Sequence, residues 1–408
     1  MYNPLNEKGK PIEKQFKNWK ELNTKPYDKD DVHPYARTAG ILMNGIEFEA
    51  ASFTHQFARH AKDMELRRRL AVVRRIEQEQ QKMINWMIPG NESSLEVTVG
   101  YEQVAVDLTA FLAQNEKDPY VKQALDFALL EDFDHLYRYS NLMKMTMDKE
   151  PSDITKEYTE ITVGRPTALE HRFPEDDVRS FTDKTVADLM TVLHLLTIVA
   201  AEQQTMNYYM NTGNRIIDMM GRGLYIEIGQ VEEQHVTHYE SLLDPGMTWF
   251  EGWFFHELNE CWLYRSLMEH AYDEQARKVW EECLEMELTH LKMARETAIE
   301  YEKKDPAERL PSKGFEHLFQ FRSNIDYVRQ VLKEQMDLTT METDFISSDE
   351  VPSDYRYFTH QETVNKGGVP SEEVIEEMIK AEGHDYRQEL RGPHPIERYR
   401  QQIQVRHI

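Results

Sequence analysis

From about residue 36 to residue 302, apolar side chains recur every three or four positions almost without interruption. Only an α-helix turns that spacing into one buried face. The few interruptions carry turn chemistry: Pro89-Gly90, Asp118-Pro119 with proline at a first helical position, Asp244-Pro245-Gly246, and Asp305-Pro306. A longer break, residues 148–182, holds Pro151, Pro166 and Pro174 and little periodicity. Together these breaks define four helical hairpins at about 36–88, 93–147, 183–243 and 248–303. Strand patterning is almost absent, since the one β-like stretch, Glu96–Val99, lies inside a helical period. The expected fold is all-α, a bundle of about eight core helices.

The segments follow: an irregular N-terminal arm over 1–33, hairpins one and two over 34–147, a connection over 148–182, hairpins three and four over 183–305, and a C-terminal part over 306–408. That last part is expected to hold one short helix within Phe315–Leu338 and then an extended tail running past Gly367-Gly368 and Gly392-Pro393. A net charge of -25 repels phosphate backbones and argues against a nucleic-acid partner. Two cysteines, Cys261 and Cys283, cannot make a disulfide framework or a four-thiolate metal site. The first ten residues have no apolar run of the signal-peptide kind. The greasiest segment, Val186–Ala201, is too short to span a bilayer and is interrupted by Asp188 and His194. A cytoplasmic chain without membrane contact is expected.

Within the helices, an acid followed three residues later by histidine occurs at Asp132-x-x-His135, Glu232-x-x-His235 and Glu287-x-x-His290. That spacing puts both side chains on one helical face, one turn apart. Thirty residues before each of these acids stands a glutamate: Glu102, Glu202 and Glu257. A turn falls near each midpoint, at Lys117-Asp118, between Gly213 and Gly221, and at Tyr272-Asp273, so helices running out and back bring the paired acids to one height. The midpoints of Glu232 and Glu257 and of Glu77 and Glu102 also fall on turns, at Asp244-Pro245 and Pro89-Gly90, which predicts one layer of acids across the bundle. Buried carboxylates without partners cost several kcal/mol each, so such a layer calls for bound cations.

A glutamate, then Glu-x-x-His, given twice from two helical hairpins resembles the pattern of the ferritin-like di-iron carboxylate superfamily. That group includes rubrerythrins, ribonucleotide reductase small subunits, acyl-carrier-protein desaturases and bacterial multicomponent monooxygenases. The resemblance covers roughly residues 95–302 and implies a ferritin-like four-helix bundle core holding two iron ions per site, with manganese as the other candidate. It implies activation of dioxygen or peroxide and oxidation of a small organic substrate. Electrons would come from a separate donor such as a ferredoxin or reductase, since no flavin, nicotinamide or iron–sulfur motif is visible. Further copies of the chain are candidate partners. Two other readings stand beside this one: an iron-binding or peroxide-scavenging protein without organic substrate, and a helical scaffold with a vestigial site.

Three acid-x-x-His sets are one more than a single site uses. Hairpin three pairs either with hairpin two (Glu102, Asp132, His135, Glu202, Glu232, His235), with 148–182 as the long crossover, or with hairpin four (Glu202, Glu232, His235, Glu257, Glu287, His290). A shift of 155 residues also maps Glu47, Glu77, Glu102, Asp132 and His135 onto Glu202, Glu232, Glu257, Glu287 and His290, failing only at Gln80 opposite His235. An internal duplication would therefore build a second, degraded site from hairpins one and two.

Around the motifs, Cys261 and Cys283 stand one turn from Glu257 and Glu287, either as a redox pair or as small core residues. Tyr139 and Tyr239 lie one turn past two of the histidines, the offset of the radical tyrosine in ribonucleotide reductase small subunits, though core aromatics are the plainer expectation. His238, Glu233, Glu240, Tyr208 and Tyr209 are candidates for supporting the ligands. His55, His60, His194 and His256 are expected in core or surface roles, and the Arg67–Arg75 run as a solvated face or ion-pair partner.

Overall fold

A computed structural model describes residues 2–315 and 317–401. The parts of the arm, of the Phe315–Leu338 segment and of the tail that fall on Met1, Glu316 and 402–408 lie outside the described residues.

The helices begin where the sequence supplies a cap. In the arm, α1 (Trp19–Leu22) starts with a reciprocal Asn18–Glu21 capping box. Helix α2 (Pro34–His60) has proline at its first turn, and Asp63 caps α3 (Met64–Asn85) by accepting from Leu66 N. Ser93 and Glu96 form a capping box on α4 (Ser94–Asn115), which absorbs the β-like stretch; Asp118 with Pro119 opens α5 (Pro119–Met147). After the short α6 (Ser152–Thr155) come α7 (Leu189–Gly213) and α8 (Met219–Glu240), the latter capped by Asp218. Thr248 and Glu251 box α9 (Trp249–Glu269), and Asp273 caps α10 (Glu274–Glu302). The four expected hairpins are therefore α2–α3, α4–α5, α7–α8 and α9–α10, and the fold is all-α.

The C-terminal part is more ordered than the sequence reading expects. Helix α11 covers only Ile325–Gln335, and it is followed by a two-residue hairpin pairing β1 (Leu338–Met341) with β2 (Asp344–Ser347). Glu342 takes a positive φ of 53° at the turn. Two more helices follow, α12 (Arg356–Val364) and α13 (Pro370–Glu382). The expected short helix is α11, whereas α12 and α13 lie where an extended tail was expected; α11 and α13 insert Val328, Val331, Leu332, Val374, Ile375 and Ile379 into a buried cluster that also holds residues of α4, α5 and α8. Apolar residues at i, i+3 and i+4 make that burial favourable.

The chain forms two compact units that cut across the 34–147 and 183–305 segments. Unit 1 comprises Met1–Asn91, Asp183–Ala201 and Asp244–Phe321; unit 2 comprises Glu92–Thr182, Glu202–Leu243 and Arg322–Ile408. Hairpins one and four therefore share unit 1, while hairpin two shares unit 2 with α8 and the second half of α7. The chain passes from one unit to the other next to the short turns at Pro89-Gly90 and Asp244-Pro245-Gly246. No helix among the described residues is long and apolar enough to cross a membrane.

Candidate metal centres

The expected single layer of acids is two clusters, one in each unit. In unit 2, α4 supplies Glu102, α5 supplies Asp132 and His135, α7 supplies Glu202, and α8 supplies Glu232 and His235. All six are at most 1% exposed. They form two donor groups, Asp132–Glu202–Glu232–His235 and Glu102–His135–Glu232, with the donor atoms of each group within 4.8 Å of one another. Glu232 belongs to both. Its Oε1 lies 3.1 Å from His135 Nδ1, and its Oε2 lies 3.6 Å from His235 Nδ1. His235 Nδ1 also lies 3.2 Å from Asp132 Oδ1 and 3.7 Å from Glu202 Oε2.

The far nitrogens of both rings are anchored on acids. His135 Nε2 donates to Glu170 (2.9 Å), and His235 Nε2 donates to Glu131 (3.0 Å). A carboxylate on Nε2 holds that nitrogen protonated and turns Nδ1 inward, the arrangement usual for metal-binding histidines. Glu131 is itself held by Arg165 Nη1 (3.0 Å) and by a two-pronged contact from Arg172, whose Nη2 donates at 3.0 Å. Burial alone would push Glu131 up; the two guanidiniums and the His235 hydrogen bond outweigh it and hold this carboxyl well below the usual range.

The inward-facing acids are differently placed. Both oxygens of Asp132 and of Glu202, Glu102 Oε2, Glu232 Oε2 and His235 Nδ1 are buried without a hydrogen-bond partner. Each buried unsatisfied group costs about 1–3 kcal/mol, so protons or cations must fill the gap. Burial, with the neighbouring charge of Asp132, pushes Glu202 well above the ordinary carboxyl range, and burial does the same to Glu102. Glu232 goes the other way, to about 2, because the His135 hydrogen bond and the closeness of both imidazoles outweigh its burial. A shared anion between two imidazoles, flanked by acids that must otherwise hold protons, fits a pair of cations that displace those protons.

Unit 1 repeats the plan. Glu257, Glu287 and His290 lie with Glu47, Glu77 and Gln80, all at most 1% exposed. Thus Glu257, Glu287 and His290 do not join Glu202, Glu232 and His235, and the second site is built from hairpins one and four, not one and two. The 155-residue correspondence survives in altered form: each cluster joins one set from hairpin two or four to one from hairpin three or one.

Sequence reasoning missed Glu131, Glu170, Arg165 and Arg172. The signal was thin, because 165–172 lies in the 148–182 connection, which has no periodicity. That connection reaches the site through a close approach at Gly164, whose N–H donates to Asp134 (2.9 Å). A Cβ there would stand 2.4 Å from Leu130 O and 2.5 Å from Asp134 N, both backbone atoms. Gly164→Ala should therefore destabilise the protein by about 1–3 kcal/mol through overpacking, read by denaturant melts, and weaken metal binding by moving Glu170. An unchanged melt would refute the close-approach argument.

Of the supporting residues proposed from sequence, only Tyr209 touches a ligand, donating to Glu102. His238 meets the Ala124 carbonyl, Tyr208 bonds Ser94 O, and Glu233 and Glu240 are exposed. Tyr139 and Tyr239 are buried, with hydroxyls lacking hydrogen-bond partners. Cys261 and Cys283 are free and buried, and burial with nearby carboxylates pushes both thiols up. His55 and His60 are exposed, while His256 is buried against the Gly252 carbonyl. Arg68, Arg69 and Arg75 pair with Glu65, Glu300 and Glu79.

The fold and these clusters define an all-α protein with two buried carboxylate–histidine centres. Compared with family models, curated proteins and solved structures, the chain matches none.

Proposed function

We propose that the unit 2 cluster holds two transition-metal ions, iron foremost, and that the protein is a di-metal oxidoreductase of the ferritin-like kind that uses dioxygen or peroxide to oxidise a small organic substrate. The observation that carries this reading is Glu232, one buried carboxylate shared by two imidazole-containing donor groups. Carboxylate and imidazole donors suit Fe(II) and Mn(II). Such a pair supplies redox equivalents and Lewis acidity to an oxidant bound at open positions.

The chain's own residues do the rest. His135 and His235 present Nδ1 inward because Glu170 and Glu131 hold Nε2. Tyr209 fixes one oxygen of Glu102 and leaves the other free for a cation. Buried aromatic and aliphatic side chains around α4, α5 and α8 keep bulk water out. A cavity of about 470 Å³ in the same unit gives an organic molecule room, with Ile226, Val364 and Pro370 as apolar walls and Gln230 and His360 as polar ones. Two further wall residues support the ligands: Arg172 holds Glu131, and Gln234 donates to the Glu170 carbonyl (2.7 Å). Occupancy of the cavity is thereby one residue removed from both histidines. Electrons would come from a separate protein donor.

The test is anaerobic loading with Fe(II), metal analysis, and stopped-flow spectroscopy on mixing with oxygen. About two irons bound in unit 2 and a transient visible band that decays faster with a substrate than without it are expected. Mineralisation of many irons per chain would replace this reading with storage, and a chain that binds no iron would sink it.

A further inference from the structure

Apart from Glu287 standing where Asp132 stands, which keeps a carboxylate, the unit 1 cluster departs from the unit 2 cluster at two positions. Gln80 stands where His235 stands, and Glu260 stands where the 155-residue shift places Ala105, one turn past the hairpin's first glutamate. One imidazole is lost and one carboxylate gained. Glu77, Glu257 and His290 bring their donor atoms within 4.8 Å of one another, matching Glu232, Glu102 and His135 of unit 2 residue for residue. A second group, Glu257–Glu260–Glu287, meets the same criterion and shares Glu257 with the first.

Several carboxylate oxygens of this cluster lack donors. Both oxygens of Glu77, both of Glu260, Glu257 Oε2 and Glu47 Oε2 are buried without a hydrogen-bond partner. The surroundings are built as in unit 2. Tyr264, seven residues past Glu257, donates to Glu47 of the opposite hairpin, as Tyr209, seven residues past Glu202, donates to Glu102. His290 Nδ1 faces Glu287 Oε2 at 3.0 Å, while its Nε2 lies 2.8 Å from Gln15 Oε1. Gln80 turns its amide to Glu287 (2.6 Å) and so orients an acid where its counterpart would bind a metal.

We propose that unit 1 contains a second dinuclear cation site, in which Glu260 replaces the imidazole absent at Gln80 and creates an all-carboxylate position that takes Mn(II). Carboxylate-only donors suit hard divalent ions, and loss of a nitrogen donor weakens the advantage Fe(II) has over Mn(II). The five acids Glu47, Glu77, Glu257, Glu260 and Glu287 outnumber the four of unit 2, so the site favours high positive charge. The cluster is then no relic of the unit 2 centre but a centre with a different metal preference.

The full chain, stripped with a chelator, is loaded with Mn(II) alone, desalted and analysed for manganese. About four ions per wild-type chain are expected, falling to about two in Glu260→Gln, in Glu77→Gln and, through the other cluster, in Glu232→Ala. Glutamine keeps the side-chain shape, so the chelated Gln variants should melt with the wild type. A wild-type count of about two that ignores Glu260→Gln and Glu77→Gln but vanishes in Glu232→Ala overturns this proposal and leaves the unit 2 reading intact. A count that falls with Glu260→Gln and Glu77→Gln but not with Glu232→Ala sustains the proposal and sinks the unit 2 reading. The double variant Gln80→His/Glu260→Ala recreates the unit 2 donor set. In Mn(II)/Fe(II) competition it should favour Fe(II) by about tenfold more than wild-type unit 1 does, and unchanged selectivity overturns the role given to Glu260.

Discussion

Glu232→Ala is expected to empty the unit 2 centre, lowering its affinity for Fe(II) by well over about 100-fold, beyond the 10–100-fold typical of losing an outer hydrogen-bond partner. Glu232 is the one acid common to both donor groups, so its loss would remove a donor from each proposed cation at once. It is also the anion that both Nδ1 atoms face, at 3.1 and 3.6 Å. Without it two imidazoles are left beside Glu202 and Asp132, which burial drives toward their protonated forms. Metal analysis after Fe(II) loading measures the loss directly. The melting temperature gives a second readout: saturating metal at about 100 times Kd stabilises by about 2.7 kcal/mol, and that increment should disappear from unit 2 in the variant. Glu233→Ala, one residue along and exposed, is the control expected to change neither. Full metal retention in Glu232→Ala would show that this residue is not a shared donor of the two groups.

The helices and their ends could be read from the sequence because both rest on local chemistry. Ser93 with Glu96 and Thr248 with Glu251 are capping boxes written in four residues, and Pro119 after Asp118 needs no tertiary context. The pairing of Asp132 with His135 was legible for the same reason, since 3.6-residue periodicity puts i and i+3 on one face, and Glu102 joins them because the turn at Asp118 lies midway between it and Asp132. Which hairpins meet was legible only in part: the long 148–182 crossover pointed to hairpins two and three, but nothing pointed to hairpin one as the partner of hairpin four. A short loop such as Asp244-Pro245-Gly246 suggests adjacent antiparallel helices, yet α9 packs with α10 and α2, while α8 packs with α5 and α13. Loop length bounds how far the chain travels but does not say which apolar face it will meet.

Of the C-terminal helices, α11 was expected, but α12 and α13 were missed for a different reason. Val374, Ile375, Met378 and Ile379 carry a helical period, but α13 is only 13 residues long and lies between glycine breaks that read as tail. Its burial comes from packing on α8 and α5, which no local rule supplies. The acids that orient the histidines were hidden more deeply. Glu131 and Glu170 differ from surface glutamates only through Arg165, Arg172 and a connection that lies against α5 at Gly164. Glu260 stood in plain view one turn from Glu257. Its meaning depends on Gln80, which is 180 residues away in sequence and beside the same acids in space.

Arg172→Leu is the substitution expected to cost most in stability. The Arg172 guanidinium is enclosed, donates to both oxygens of Glu131, and spans to Asp177 Oδ1 at 2.8 Å. Leucine fills part of the volume but leaves Glu131 with only Arg165 and the His235 ring, and Asp177 without its buried partner. Removing one member of a buried ion pair typically costs about 3–5 kcal/mol, because the charge left behind is desolvated and uncompensated. Urea denaturation of the metal-free protein, free of any contribution from bound metal, should show that loss as a lower midpoint at unchanged slope. The same substitution frees Glu131 from its clamp and so loosens His235, and Fe(II) affinity should fall by about 10–100-fold. A double-mutant cycle separates the two effects. Combining Arg172→Leu with Glu131→Gln removes the stranded charge, so the double variant should be more stable than the sum of the single changes, with a coupling of about 1–3 kcal/mol. Its metal affinity should stay low, since glutamine holds the His235 ring less firmly than a clamped carboxylate. Simple additivity would mean that Arg172 acts through packing alone and that Glu131 does not need it. Normal Fe(II) affinity in Arg172→Leu would break the link from this arginine through Glu131 to His235.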